Sequence, residues 1–136
     1  MSHVVTGIRL AEQSIMKMLK ATVLEARKLD APSGIAIVDV NGLLRAFVLM
    51  DGAVPLAQEV VPKKARTAAY TGAPTGELDP ALAARIAAVA TDFADLPGGL
   101  PIVVDGVIVG GIAAGGISPD NDVAIARAGL AALTAE

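Results

Sequence analysis

The chain has 136 residues, 54% of them apolar, with a formal net charge of −3, a pI near 5.1 and a mean hydropathy of +0.61. That length is one ordinary domain able to bury a single core, and residues 1–136 read as one unit. An aromatic content of 2% and an acidic balance exclude a base-stacking or phosphate-tracking surface; the lack of cysteine excludes disulfides and thiolate metal sites.

The chain opens MSHVVTGIRLAEQ, which has no charged-then-apolar signal layout, and this predicts a cytoplasmic protein. No apolar run reaches the length of a membrane-spanning helix, so no membrane partner is expected. Residues 8–29 follow as a helix, with Ala11, Ile15, Met18, Thr22, Ala26 and Leu29 at helical spacing on its core face. Met16 and Leu24 lie off that stripe, either as a subunit contact or as incidental apolar residues of an exposed face.

In 33–53, GIAIVDV and LLRAFVLM are strand-like runs joined by Asn41-Gly42, which suits a two-residue hairpin turn. Arg45 falls mid-strand between Leu44 and Ala46, either exposed on one face or clamping a ligand. Asp51-Gly52 closes the second strand. Residues 55–72 read as helical, with Pro62 starting or kinking the helix and Gly72 capping its end. Asp79-Pro80 opens a short helix through about Ala90.

LPIVV and VIVGGIA flank Asp105-Gly106 as a second hairpin. Ser118-Pro119-Asp120 starts the last helix: Ser118 caps it, Pro119 fits the first turn, and Asp120 and Asp122 favour the positive end of its dipole. The order helix, hairpin, helices, hairpin, helix predicts an α+β fold, an antiparallel sheet layered with helices.

Several segments together resemble one family. These are MDGA (50–53), KKARTAAYTGAPTGEL (63–78), PGGLPIVVDGVIVGGI (97–112) and GG-x-SPDND (115–122). They are similar to the GlcG/HbpS-like proteins, including the C-terminal domain of PduO-type proteins, over about Leu10 to Leu133. The resemblance implies a profilin-like fold: a five-stranded antiparallel sheet covered by helices in α/β/α layers. It also implies haem binding or degradation for some members, a place in glycolate or diol catabolism for others, and self-association into dimers or octamers. At positions where the family often has an arginine and a serine, this chain has Leu49 and Ala114.

Lys64 stands at the place of the family lysine, with Glu59 at the upstream acidic position. His3, the single histidine, is the candidate axial haem ligand, donated by the N-terminal segment. No metal site is expected. The glycines, among them Gly99, Gly115 and Gly116, either leave room for a ligand or let a helix sit tightly on the sheet. Gly115-Gly116 leads into a helix N-terminus at Ser118, where free N–H groups attract an anion.

Two functions follow. The first is a homo-oligomeric binder of a haem or tetrapyrrole-type small molecule. The second is a cofactor-independent isomerase, hydratase or lyase acting on a small oxo- or hydroxy-acid. In that reading Lys64 and the helix N-terminus hold the carboxylate, while Glu59 or Asp51 moves a proton.

Overall fold

A computed structural model describes residues 2–134. The first helix, α1 (Glu12–Lys28), starts four residues later than expected and buries Ile15, Met18, Thr22 and Ala26 of the expected stripe; Ala11 and Leu29, also expected on it, flank the helix and are exposed. Arg27 and Lys28 sit in its last turn, where cations oppose the negative end of the helix dipole. Asp30, with φ of 51°, reverses the chain toward the sheet.

β1 (Gly34–Asp39) is buried along its whole length because helices cover both its faces. Ile35 and Ile37 pack into the layer of α1 and the last helix, while Ala36 and Val38 face α2 (Ala57–Thr71).

The turn into β2 (Leu44–Leu49) differs from the expected two-residue form. Gly42 alone takes positive φ, at 82°; its N–H donates to the Asp39 carbonyl, and the Asp39 N–H donates to Leu43. The wider turn shifts the register, so Ile37 opposes Ala46 but Val38 opposes Leu44, leaving Arg45 as an unpaired bulge residue.

α2 runs unbroken through Pro62, which deprives the Gln58 carbonyl of its helical donor without ending the helix. Gly72, at φ of 69°, caps it as expected. α3 (Pro80–Ala87) starts on Asp79, whose side chain accepts from the Leu82 N–H at 3.2 Å. It stops short of Ala90 and buries no residue.

β3 (Gly99–Val104) and β4 (Val107–Gly115) form the second hairpin. Here the two-residue turn holds: Asp105 and Gly106 both have positive φ, and Val104 pairs with Val107. α4 (Pro119–Thr134) follows, its first turn capped by Ser118 Oγ, which accepts from the Asn121 N–H at 3.3 Å.

The strands are ordered β2-β1-β4-β3, every neighbour antiparallel. The expected fifth strand is a correction: the sheet has four among the described residues. The N-terminal segment before α1, whose Val4, Val5 and Ile8 are exposed, joins no ladder. The α/β/α layering holds, with α2 on one face and α1 beside α4 on the other.

Small residues let α2 approach. A Cβ on Gly111 would stand 2.1 Å from the Ala65 carbonyl oxygen, and one on Gly99 2.6 Å from that of Lys64. These two glycines therefore serve helix packing rather than an open ligand space.

Candidate functional site

Lys64 falls on the core stripe of α2, one turn from Val61 and Ala68. Its side chain has nowhere to go but the end of β4, where Gly115 offers no side chain to block it. Lys64 is 3% exposed. Its Nζ donates to the Pro97 carbonyl at 2.9 Å and to Asp122 Oδ2 at 3.5 Å. Gly98, at φ of 117°, lies beside this contact; a Cβ there would come 2.7 Å from Nζ.

Asp122 arrives from the opposite helical layer. It shares the buried stripe of α4 with Ile125, Ala126 and Gly129, so its carboxylate points inward. Its Oδ1 accepts from the Gly116 N–H at 2.9 Å, and its Oδ2 meets Lys64. One carboxylate thus joins the glycine turn to α2.

The loop supplying the Pro97 carbonyl is fixed by two hydroxyls. Thr67 Oγ1 accepts from the Ala94 N–H at 2.9 Å. Thr75 Oγ1 donates to the Leu96 carbonyl and accepts from the Gly99 N–H at 2.9 Å.

Burial acts on both members of the pair. It pushes the Lys64 amine below its ordinary value, against the pull of the Asp122 charge and hydrogen bond. It also raises the Asp122 carboxyl, opposed by the Lys64 charge and the Gly116 N–H. Desolvation therefore narrows the gap that ordinarily keeps a proton on lysine rather than aspartate.

The pair floors a cleft of about 240 Å³, whose lining includes Val54, Leu56, Val60, Leu96, Gly115 and Ile117. Leu56 and Ile117, 67% and 91% exposed, flank its mouth. Two charged side chains at the base of an apolar cleft are an arrangement that can bind a small polar molecule or move a proton.

The structure gathers only some of the expected site residues here. Lys64, Gly115 and Gly116 line the cleft. Ser118 borders an adjoining hollow of about 140 Å³ with Gly52 and Asn121. Gly99 lies under α2, against Thr75 and the Lys64 backbone. Glu59 is exposed and absent from the lining; five residues along one helix puts it on a different face from Lys64. Asp51 is exposed at a separate hollow of about 400 Å³ beside Arg27 and Met50.

Arg45 sits elsewhere with partners of its own. Its Nη1 donates to Asp39 at 3.0 Å and to the Leu10 carbonyl at 2.9 Å, while Asp39 accepts from the Leu10 N–H at 3.1 Å. The bulge turns Arg45 toward the entry of α1. His3 is exposed and joins none of these clusters. The residue that reading the sequence missed is Asp122, assigned there to the helix dipole. Its place on the buried stripe of α4 was the available signal, since a buried carboxylate requires a cation.

Comparison with known proteins adds four relationships. The family model described as "Haem degrading protein HbpS-like" matches residues 10–131. The corrinoid adenosyltransferase PduO of Citrobacter freundii is 30% identical over 133 residues, 93% of this chain but 40% of that protein. This chain thus spans well under half the length of that relative. Protein GlcG of Escherichia coli strain K12 is 35% identical over 109 residues, 79% of this chain and 81% of its own. Among solved structures, a PduOC complex with haem superposes with a TM-score of 0.85 at 28% identity, over 92% of this chain and 95% of that one.

Proposed function

The chain belongs to the HbpS-like family, and from that membership we propose that it binds a haem or tetrapyrrole-type molecule and works as a homo-oligomer. The observation carrying this reading is the likeness, over nearly the whole of both chains, to a PduOC structure that contains haem.

The Lys64 cleft does not fit such a ligand. At about 240 Å³ it is below the range that holds drug-sized molecules, and no imidazole, thiolate or thioether lines it. The outer face of α1 fits better. Met16, Lys20, Leu24 and Arg27 share that face, with Leu19 and Val23 between them, around an open hollow of about 550 Å³. Met16 and Leu24 are 59% and 53% exposed. Apolar side chains suit the ring, and the cations of Lys20 and Arg27 suit carboxylates at its edge.

Haem, when bound, would supply a redox-active iron. Met16 offers a weak sulfur ligand on the same face, and His3 of a neighbouring copy offers an imidazole. A hollow open on one side is completed by a second copy, which ties ligand binding to self-association.

Hemin titration followed by the Soret band tests the reading. A saturable shift in the wild type, weakened by Lys20→Glu with Arg27→Glu and unchanged by Glu59→Ala, is expected. No saturable shift would remove the proposal. His3→Ala tests whether the imidazole would hold the haem or the ring alone would bind.

A second reading, a cofactor-independent enzyme on a small oxo compound, is favoured by the buried Lys64–Asp122 pair at the foot of its cleft. Asp122 replaces Glu59 and Asp51 as the group placed to exchange a proton with Lys64.

A further inference from the structure

We infer that the Lys64 amine condenses reversibly with a small uncharged carbonyl compound, an aldehyde or ketone of a few carbons, with Asp122 exchanging the protons. The inference rests on the second reading above and specifies its substrate class and its covalent step.

Charge accounting selects the class. Lys64 and Asp122 are the charged side chains of the cleft and neutralise one another at 3.5 Å. A carboxylate ligand would bring a second negative charge beside Asp122 with one cation between them. An uncharged carbonyl leaves the balance intact, and the apolar walls of Val54, Val60, Leu96 and Ile117 accept its carbon chain.

The geometry supports the chemistry. Two of the three ammonium hydrogens of Lys64 are directed to Pro97 and Asp122, so the nitrogen is held rather than free to swing. Gly98 and Gly115 keep side chains away from it. Burial favours its neutral, nucleophilic form.

The step balances within the site. The ammonium first passes a proton to the Asp122 carboxylate. The amine nitrogen then forms a bond to the carbonyl carbon while the carbonyl π electrons move to oxygen, which takes the proton back from Asp122. The nitrogen returns one proton to Asp122, giving a carbinolamine. Asp122 protonates the hydroxyl, water leaves, and the nitrogen lone pair closes the C=N bond of a protonated imine, with the Asp122 carboxylate as its counterion.

Butanal with cyanoborohydride, followed by peptide mapping of the wild-type protein, is the test. The expected result is a butyl adduct on Lys64 that forms ahead of adducts on exposed Lys20 and Lys28, and that is absent in Lys64→Arg. Butyramide, uncharged and unreactive, is titrated in parallel by NMR. Butyramide binding with adducts only on exposed lysines overturns the covalent step and leaves the cleft as a binding site. Failure of butyramide to bind, with no Lys64 adduct, overturns the second reading as well. Faster trapping of pyruvate than of butanal on Lys64 overturns the uncharged class.

Discussion

Lys64 and Asp122, 58 residues apart in sequence, meet at 3.5 Å inside the molecule, one from each of the two helical layers. They meet beside Gly98, where a Cβ would stand 2.7 Å from Lys64 Nζ and 2.9 Å from Asp122 Cβ.

Breaking that pair from one side should be costly. Lys64→Met leaves a buried carboxylate and Asp122→Leu a buried ammonium, each expected to cost about 3–5 kcal/mol in urea denaturation. The double variant should recover much of the loss, giving a favourable coupling energy in a double-mutant cycle. Simple additivity would mean that the two groups do not interact.

The pair also predicts a pH signature. The folded state holds Asp122 above its ordinary 3.8, so its ionised form costs stability above that raised value. The cost is relieved as pH falls through the raised value toward 3.8. Lys64 is held below its ordinary 10.5, so its protonated form costs stability below the lowered value. That cost is relieved as pH rises from there to 10.5. Relative to the Lys64→Met/Asp122→Leu double variant, the wild type should therefore gain stability at both ends of the pH range. A flat difference by urea denaturation from acid to alkali would contradict it.

Arg45 is expected to act on the N-terminal segment rather than on a ligand. Arg45→Ala removes a donor to Asp39 and to the Leu10 carbonyl, with a cost of about 1–3 kcal/mol. Amide exchange at Leu10 should accelerate, because its N–H is bonded to the carboxylate that Arg45 holds. Small-molecule binding in the Lys64 cleft should be unchanged.

The two glycines that bound the 111–116 stretch should differ in how much a methyl costs. Gly111→Ala forces a methyl against the Ala65 carbonyl, at 2.1 Å before relaxation, and should lose about 1–3 kcal/mol or more. At Gly116 the nearest atom is 3.3 Å away, and the alanine variant should lose less than about 1 kcal/mol. Thermal melts of the two variants decide this.

Self-association through α1 is checked by light scattering. Met16→Glu with Leu24→Glu should dissociate the oligomer while leaving the fold intact, since both side chains are exposed. A wild-type protein that is monomeric throughout would remove this interface.

Most elements were legible in the sequence because each announces itself locally. The middle of the α1 stripe from Ile15 to Ala26, the Asp79-Pro80 cap, the Gly72 stop and the Asp105-Gly106 turn need only short-range chemistry, and each stands where expected. Asn41-Gly42 misled because Asp39, buried and bound to Leu10 and Arg45, fixes a wider turn through contacts distant in sequence. The glycines had two open explanations, and the fold uses both: Gly99 and Gly111 admit α2, whereas Gly115 and Gly116 border the cleft. Lys64 could be singled out, but its partner could not be paired with it until the layers were stacked.

The sheet's borders carry a last consequence. β2 lies on one edge with its ladder put out of step by the Arg45 bulge, and β3 lies on the other with Pro101, which has no N–H to offer. An incoming strand would find neither rim a continuous template, so amyloid-like stacking of copies is disfavoured.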